Sequence, residues 1–238
     1  MSKPAPSPLP RRRPSWLRQV WLVAKKDLAI ELSTGEIVTT AGFFAVLVAI
    51  IASLSFFAGK DARRDVAPGV FWISNAFSSV LALSRTWQRE REDGAIRGLL
   101  VAPLARNAIF MGKALGVAAF VTAVELIVVP VTAVLFQLDL LATGGPLALL
   151  LFCATPGVAA SGTLFGAMTI RTRARDLVLS SVMLPLLAPS LLAGVAGTRA
   201  LFMGATFAEL GDYFALLGLF GAIFTAGGLG LFDAVVEG

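Results

Sequence analysis

The chain has 238 residues, 57% of them hydrophobic and only 15% charged, with a mean hydropathy of +0.82. That is far more apolar than one core requires, so a soluble domain of any size is excluded and lipid is the expected solvent. The net charge of +5 lies beside apolar stretches and forms no separate basic domain, so it reads as a topology signal and not as a nucleic-acid surface.

Residues 1–14 hold five prolines and the run Arg11-Arg12-Arg13, a composition that neither packs nor holds a helix, and predict a disordered cytoplasmic tail. A signal peptide is the competing reading. The first apolar run begins only near Ile37 and is too long for a signal core, so the segment is expected to stay in the mature protein. Over residues 15–33, Leu17, Val20, Trp21, Ala24 and Leu28 recur at helical spacing, while Arg18, Lys25, Lys26 and Glu31 fall largely elsewhere on the wheel. This predicts an amphipathic helix lying on the cytoplasmic leaflet, with an ordinary soluble amphipathic helix as the alternative.

Residues 34–238 then read as a six-helix transmembrane domain, with spans near 37–58, 66–84, 114–138, 146–170, 177–197 and 213–232. Sixteen of the twenty Lys and Arg residues fall on one side of this arrangement: seven before the first span, six in the 85–113 loop and three at 171–176. The positive-inside rule places both termini on that side, in the cytoplasm. Pro130, Pro156, Pro185 and Pro189 fall within spans and predict kinks. Gly157, Ser161, Gly162 and Gly166 would let the fourth span approach a neighbour closely.

The loop from Arg85 to Pro103 is longer than a reversal of the chain needs. Its charged start extends the second span, Asp93-Gly94 reads as a break and N-cap, and Ile96, Leu99 and Leu100 make one short apolar face ending before Pro103. Two readings fit: docking into a groove on a soluble partner, or a solvated loop with an interfacial helix.

Glu125 is the single carboxylate deep within a predicted span, which by default raises a functional hypothesis; a hydrogen-bonded structural role beside Pro130 is the other reading. Trp72 and Phe71 suit either porphyrin contact or the aromatic belt. Met168, Met183 and Cys153 are soft ligands on paper and packing residues by default. Histidine is absent, which removes the commonest general base and metal ligand, and no phosphate-binding Gly-x-x-x-x-Gly-Lys-Ser/Thr run occurs. No catalytic centre and no metal site are expected. An intramembrane enzyme is therefore disfavoured, and a secondary transporter would have to couple through Glu125.

The 85–103 loop resembles the Arg-Glu-x-Gly-x-x-x-x-Leu-Leu-x-x-Pro signature of ABC-2-type export permeases. More narrowly, the chain resembles the cytochrome c maturation protein B family of haem exporter permease subunits. The residues that carry this are Lys26-Asp27-Leu28 with Glu31-Leu32, Ala67-Pro68-Gly69 with Trp72, Leu81-Ala82-Leu83, and Glu90-Arg91-Glu92-Asp93-Gly94. It continues through Leu99-Leu100 with Pro103, Gly112-Lys113, Thr155-Pro156, and Leu184-Pro185-Leu186 with Pro189. Arg97 departs from the pattern, standing where the family's Gly-x-Leu-Glu places an acidic residue.

The resemblance implies an all-α ABC-2-type permease of the bacterial inner membrane that serves haem export or delivery to the periplasm for c-type cytochrome biogenesis. It further implies a separate ATPase subunit (protein A) that holds ATP-Mg and docks on Glu90 to Pro103, and cooperation with proteins C and D and indirectly with a haem chaperone, protein E. Two copies of the chain per complex are expected. Haem would be cargo of the complex and not a cofactor held by this chain. An exporter for another cargo, a polysaccharide or a drug, is the alternative.

Overall fold

The computed structural model describes residues 14–55, 60–92, 98, 101–168 and 175–237, so that positions 1–13 of the expected tail lie outside the described residues. Long apolar runs punctuated by Gly and short polar turns give seven long helices among the described residues, and no strand. They are α1 (Trp16–Thr34), α2 (Glu36–Ser55), α3 (Lys60–Glu92), α4 (Arg106–Phe136), α5 (Leu140–Met168), α6 (Arg175–Phe202) and α7 (Gly211–Glu237). The six from α2 to α7 contain stretches long and apolar enough to cross a membrane. In hydrocarbon every backbone N–H and C=O has to be satisfied within the protein, and an open chain this apolar meets that demand as helices. The chain is a multi-pass helical membrane protein.

The helices overrun the apolar windows at their polar ends because the polar residues there are paired. α4 starts at Arg106, well before the expected boundary at Ala114, and Arg106 Nε lies 3.5 Å from Asp233 near the end of α7. The second span is part of one continuous helix that runs on to Glu92, as its charged extension predicts.

α4 is the hub, packing against α1, α2, α3, α5 and α7, while the most extensive pairing is α5 with α7. The small residues of α5 serve two neighbours at once: Gly157 accepts the ring of Phe220 from α7, whereas Gly162 and Gly166 accept Leu83 and Trp87 from α3. Without a hydrophobic drive between helices in lipid, such close approach supplies the dispersion contact that holds them. The far end, away from Arg106 and Asp233, is closed by Ala49, Ala67, Val70 and Phe136 and carries Asp65 with Arg199, 3.9 Å apart.

α1 corrects the wheel drawn from the sequence. Its buried residues are Gln19, Val20, Val23, Ala24, Asp27 and Glu31, one continuous stripe. Its exposed residues include Leu17, Trp21, Leu22, Ile30 and Leu32. Leu17 and Trp21, expected with Val20 and Ala24 on one apolar face, point outward, and three polar side chains point in. The physical reason is solvent: where the outer medium is apolar, the polar stripe is the one that seeks a protein partner.

Candidate functional site

The polar stripe of α1 meets α4 where α4 carries Gly112 and Gly116. A Cβ on Gly112 would stand 2.6 Å from the Val23 Cβ and 2.7 Å from the Val20 carbonyl oxygen, so only glycine permits this approach; a Cβ on Gly116 would be 3.4 Å from Asp27. The contact brings Lys113 onto Asp27. Lys113 Nζ donates to both carboxylate oxygens, at 2.8 Å and 3.1 Å, and the two side chains are 2% and 6% exposed. Lys26 Nζ stands 3.4 Å from the same carboxylate on the outer side. A charge pair this enclosed holds only with good geometry, because desolvation opposes its formation.

Four further hydrogen bonds fix α1. Gln19 takes the backbone N–H of Ala105 at 2.7 Å and donates to the Pro14 carbonyl. Trp16 donates its indole N–H to Asn107 Oδ1 at 3.1 Å. At the other end Gly35, at φ +62°, makes the left-handed turn from α1 into α2, and Glu31 accepts the N–H of Val38 at 2.8 Å, capping the first turn of α2. α1 is therefore tied to both flanks of α4's start and to α2.

The predicted coupling segment runs into this junction. Glu90, Arg91 and Glu92 close α3; Asp93, Gly94, Leu99 and Leu100 lie outside the described residues. Pro103 is exposed in the turn that leads through Ala105 into α4. The residue that Gln19 holds is thus two positions beyond the end of that segment. Sequence reasoning passed over Gln19, Asp27 and Lys113 as site residues. A signal was present: a lysine and an aspartate flanking apolar spans each call for a partner of opposite charge.

A second polar cluster lies at mid-height. Glu125 of α4 is 5% exposed and accepts from Asn75 Nδ2 of α3 at 3.0 Å; Thr155 Oγ1 of α5 stands 3.2 Å and 3.3 Å from its two oxygens and 2.8 Å from the Leu151 carbonyl. Three helices are thereby joined at one carboxyl group. Glu125 and Thr155 also border an apolar groove of about 570 Å³ between α4 and α5.

Trp72 is 1% exposed and donates its indole N–H to Thr198 Oγ1 of α6 at 2.9 Å, its ring seated against Gly194. Enclosed in this way it lies neither in a headgroup belt nor on an open porphyrin face; it is a strut between α3 and α6. Met183 is fully buried, Met168 is half exposed and Cys153 is partly buried against the core. Among the described residues no three His, Cys, Asp or Glu side chains converge as a metal site would require.

The model of the family described as CcmB protein matches residues 18–230. The chain belongs to the CcmB family. Its relatives include heme exporter protein B of Bradyrhizobium diazoefficiens, 26% identical over 182 residues, covering 76% of this chain and 81% of the relative. The heme exporter protein B of Paracoccus denitrificans is 33% identical over 179 residues, covering 73% and 79%. That of Escherichia coli K12 is 27% identical over 94 residues, 39% and 42% of the two chains. The CcmB match takes in α1 from Arg18 onward, so the α1–α4 junction lies within the family's own extent.

Proposed function

We propose that this chain is the membrane permease subunit of an ABC-type haem export complex for c-type cytochrome biogenesis. The observation that carries the reading is the CcmB family match over residues 18–230, joined by relatives named heme exporter protein B. In this reading the chain lies in the bacterial inner membrane with both termini in the cytoplasm, the side on which sixteen of its twenty Lys and Arg residues fall.

ATP-Mg is bound and hydrolysed by a separate subunit, protein A, that docks on Glu90 to Pro103. Haem is the cargo of the assembly, which also includes proteins C and D and serves the chaperone E. Two copies of the chain are present in each complex. α3 reaches Glu92 as one rigid helix, and α4 begins just after Pro103, so a push on the segment between them is delivered to two spans. α1, held to Ala105 and Lys113, is the brace against which that push acts.

The test is Leu99→Asp with Leu100→Asp. A helix of about two turns does not order itself in water, so its two leucines must be anchors in a partner groove. The double variant should reach the membrane at normal levels, lose the copurifying ATPase and lose c-type cytochromes. Normal membrane levels with the ATPase retained would overturn the docking assignment.

A further inference from the structure

The charges of α1 are sorted by sign. Its two carboxylates, Asp27 and Glu31, are turned inward, Asp27 onto Lys113 and Glu31 onto the N–H of Val38. Arg18 and Lys25 are exposed, and neither forms an ion pair among the described residues. On a helix of 3.6 residues per turn these two cations stand two turns and about 10 Å apart on one face, opposite the buried stripe, with exposed Trp21 and Leu22 between them. Lys26, on the flank, lies against Asp27. The exposed carboxylates nearest α1 are already engaged, Glu36 by Arg85 and Asp233 by Arg106. The outer face of α1 therefore carries positive charge that the described residues do not balance.

The depth of that face follows from α4. Lys113 and Gln137 bound its apolar stretch and each stands 12 residues from Glu125, which puts Glu125 near the bilayer midplane. α1 meets α4 from Asn107 to Gly116, and at 1.5 Å per residue that is about 27 to about 14 Å from Glu125. The polar layer of a bilayer lies roughly 15–22 Å from its midplane, so α1 sits where phosphate groups are. Leu17, Trp21 and Leu22, exposed among the cations, suit the boundary between headgroups and acyl chains. A soluble partner would have to displace that layer to cover Arg18 and Lys25, whereas headgroups are already at hand.

We infer that the outer face of α1 is a site for anionic phospholipid, with Arg18 and Lys25 each taking a headgroup phosphate and Trp21 and Leu22 lying against the chains between them. A zwitterionic headgroup brings its own cation and leaves the face positive, so the site selects lipids of net negative charge. α1 is thereby held from both sides, its carboxylate by Lys113 and its cations by lipid. The inference rests on the membrane spans and not on what is exported.

The experiment places p-benzoylphenylalanine at Leu22 in the full-length chain, in nanodiscs of equal parts phosphatidylglycerol and phosphatidylcholine, with Ile223 on the exposed face of α7 as the control position. Irradiation followed by mass spectrometry gives the ratio of the two lipid adducts. Each Lys or Arg near an anionic surface favours it about fivefold, so the phosphatidylglycerol ratio at Leu22 should exceed that at Ile223 about 10- to 25-fold at low salt, and should shrink in 0.5 M NaCl. Arg18→Gln with Lys25→Gln should bring Leu22 down to the Ile223 ratio, and Arg18→Lys with Lys25→Arg should keep the preference. In the full complex in native membranes the Leu22 adduct should again be anionic lipid. Equal ratios at Leu22 and Ile223, a preference unchanged in the double Gln variant, or adducts in the complex chiefly with another protein chain would overturn the inference.

Discussion

Removing the Asp27 carboxylate should release α1 from α4. In Asp27→Ala the Lys113 ammonium, whose side chain is 2% exposed, loses the carboxylate to which it donates twice. Breaking a buried pair by deleting one member typically costs about 3–5 kcal/mol, because the other charge is left in a poorly solvating site. The cost falls on docking of α1 and not on the whole bundle, so it appears as local opening. Lys113→Met should cost less, about 2 kcal/mol, because Lys26 Nζ is already 3.4 Å from Asp27 and can still neutralise it. A cysteine in place of Val23, which is 2% exposed against α4, reports the opening in a Cys153→Ala background. Its thiol-labelling rate should rise on the order of 10²- to 10³-fold in Asp27→Ala and far less in Lys113→Met. It should return close to the starting rate in Asp27→Leu with Lys113→Met, where the pair gives way to packed apolar groups. Equal labelling of Asp27→Ala and the double variant, or no acceleration in either, would refute the reasoning.

The glycines beneath the pair give a graded prediction: Gly112→Ala should expose the Val23 reporter about as much as Asp27→Ala, whereas Gly116→Ala, whose Cβ would stand in ordinary contact 3.4 Å from Asp27, should leave labelling within a few fold. Trp72→Phe leaves Thr198 without its indole donor and a gap beside Gly194, and should cost about 1–3 kcal/mol, read as a lower midpoint of thermal aggregation in detergent. Glu209 accepts the N–H of Thr206 at 2.6 Å and its hydroxyl at 2.9 Å, which hold its carboxyl below the usual range. A carboxyl so depressed contributes stability that is complete above the ordinary glutamate value of about 4.3 and fades as pH falls through the folded value. Proteolysis of the 203–210 turn should therefore rise in acid below that point for the native chain and show no such dependence in Glu209→Gln. Reporter fusions after Pro103 should read as cytoplasmic and those at Asp139 as periplasmic; a cytoplasmic report at Asp139 would contradict six spans in the proposed orientation.

The six spans were legible because hydropathy over some twenty residues is a local property, and Glu125 stood out because a carboxylate inside such a stretch needs no structure to be noticed. Its partners were not legible. Asn75 and Thr155 are 50 and 30 residues away, and what joins them is the rotation of α3 and α5 about their axes, which the pattern of an almost wholly apolar helix barely constrains. Trp72 was misplaced for a related reason. Near the end of a span a tryptophan has the same sequence signature whether it meets headgroups or a hydroxyl such as Thr198, and Gly194, which makes room for its ring, is over a hundred positions later. α1 was legible only in part: its helical periodicity was real, but Leu17 and Trp21, grouped with Val20 and Ala24 on one face, are exposed, while Val20 and Ala24 are buried beside Gln19, Asp27 and Glu31, whose partners on α4 and α2 lie far along the chain or past a turn.

That arrangement bears on how force would cross the protein in the proposed reading. There the exposed Leu17, Trp21, Leu22, Ile30 and Leu32 keep α1 in the membrane surface, while Gln19 and Trp16 hold the chain at Ala105 and Asn107 and Asp27 holds Lys113 two turns further on. Displacement of the segment before Ala105 therefore cannot reach α4 without either carrying α1 along or breaking these contacts. A brace confined to the membrane plane resists movement along the membrane normal and yields to sliding or tilting within the plane. In the proposed reading the first turns of α4 would pivot about the Asp27–Lys113 contact, and the motion passed inward would be a swing of α4 against α3 and α5, the two helices joined to it at Glu125.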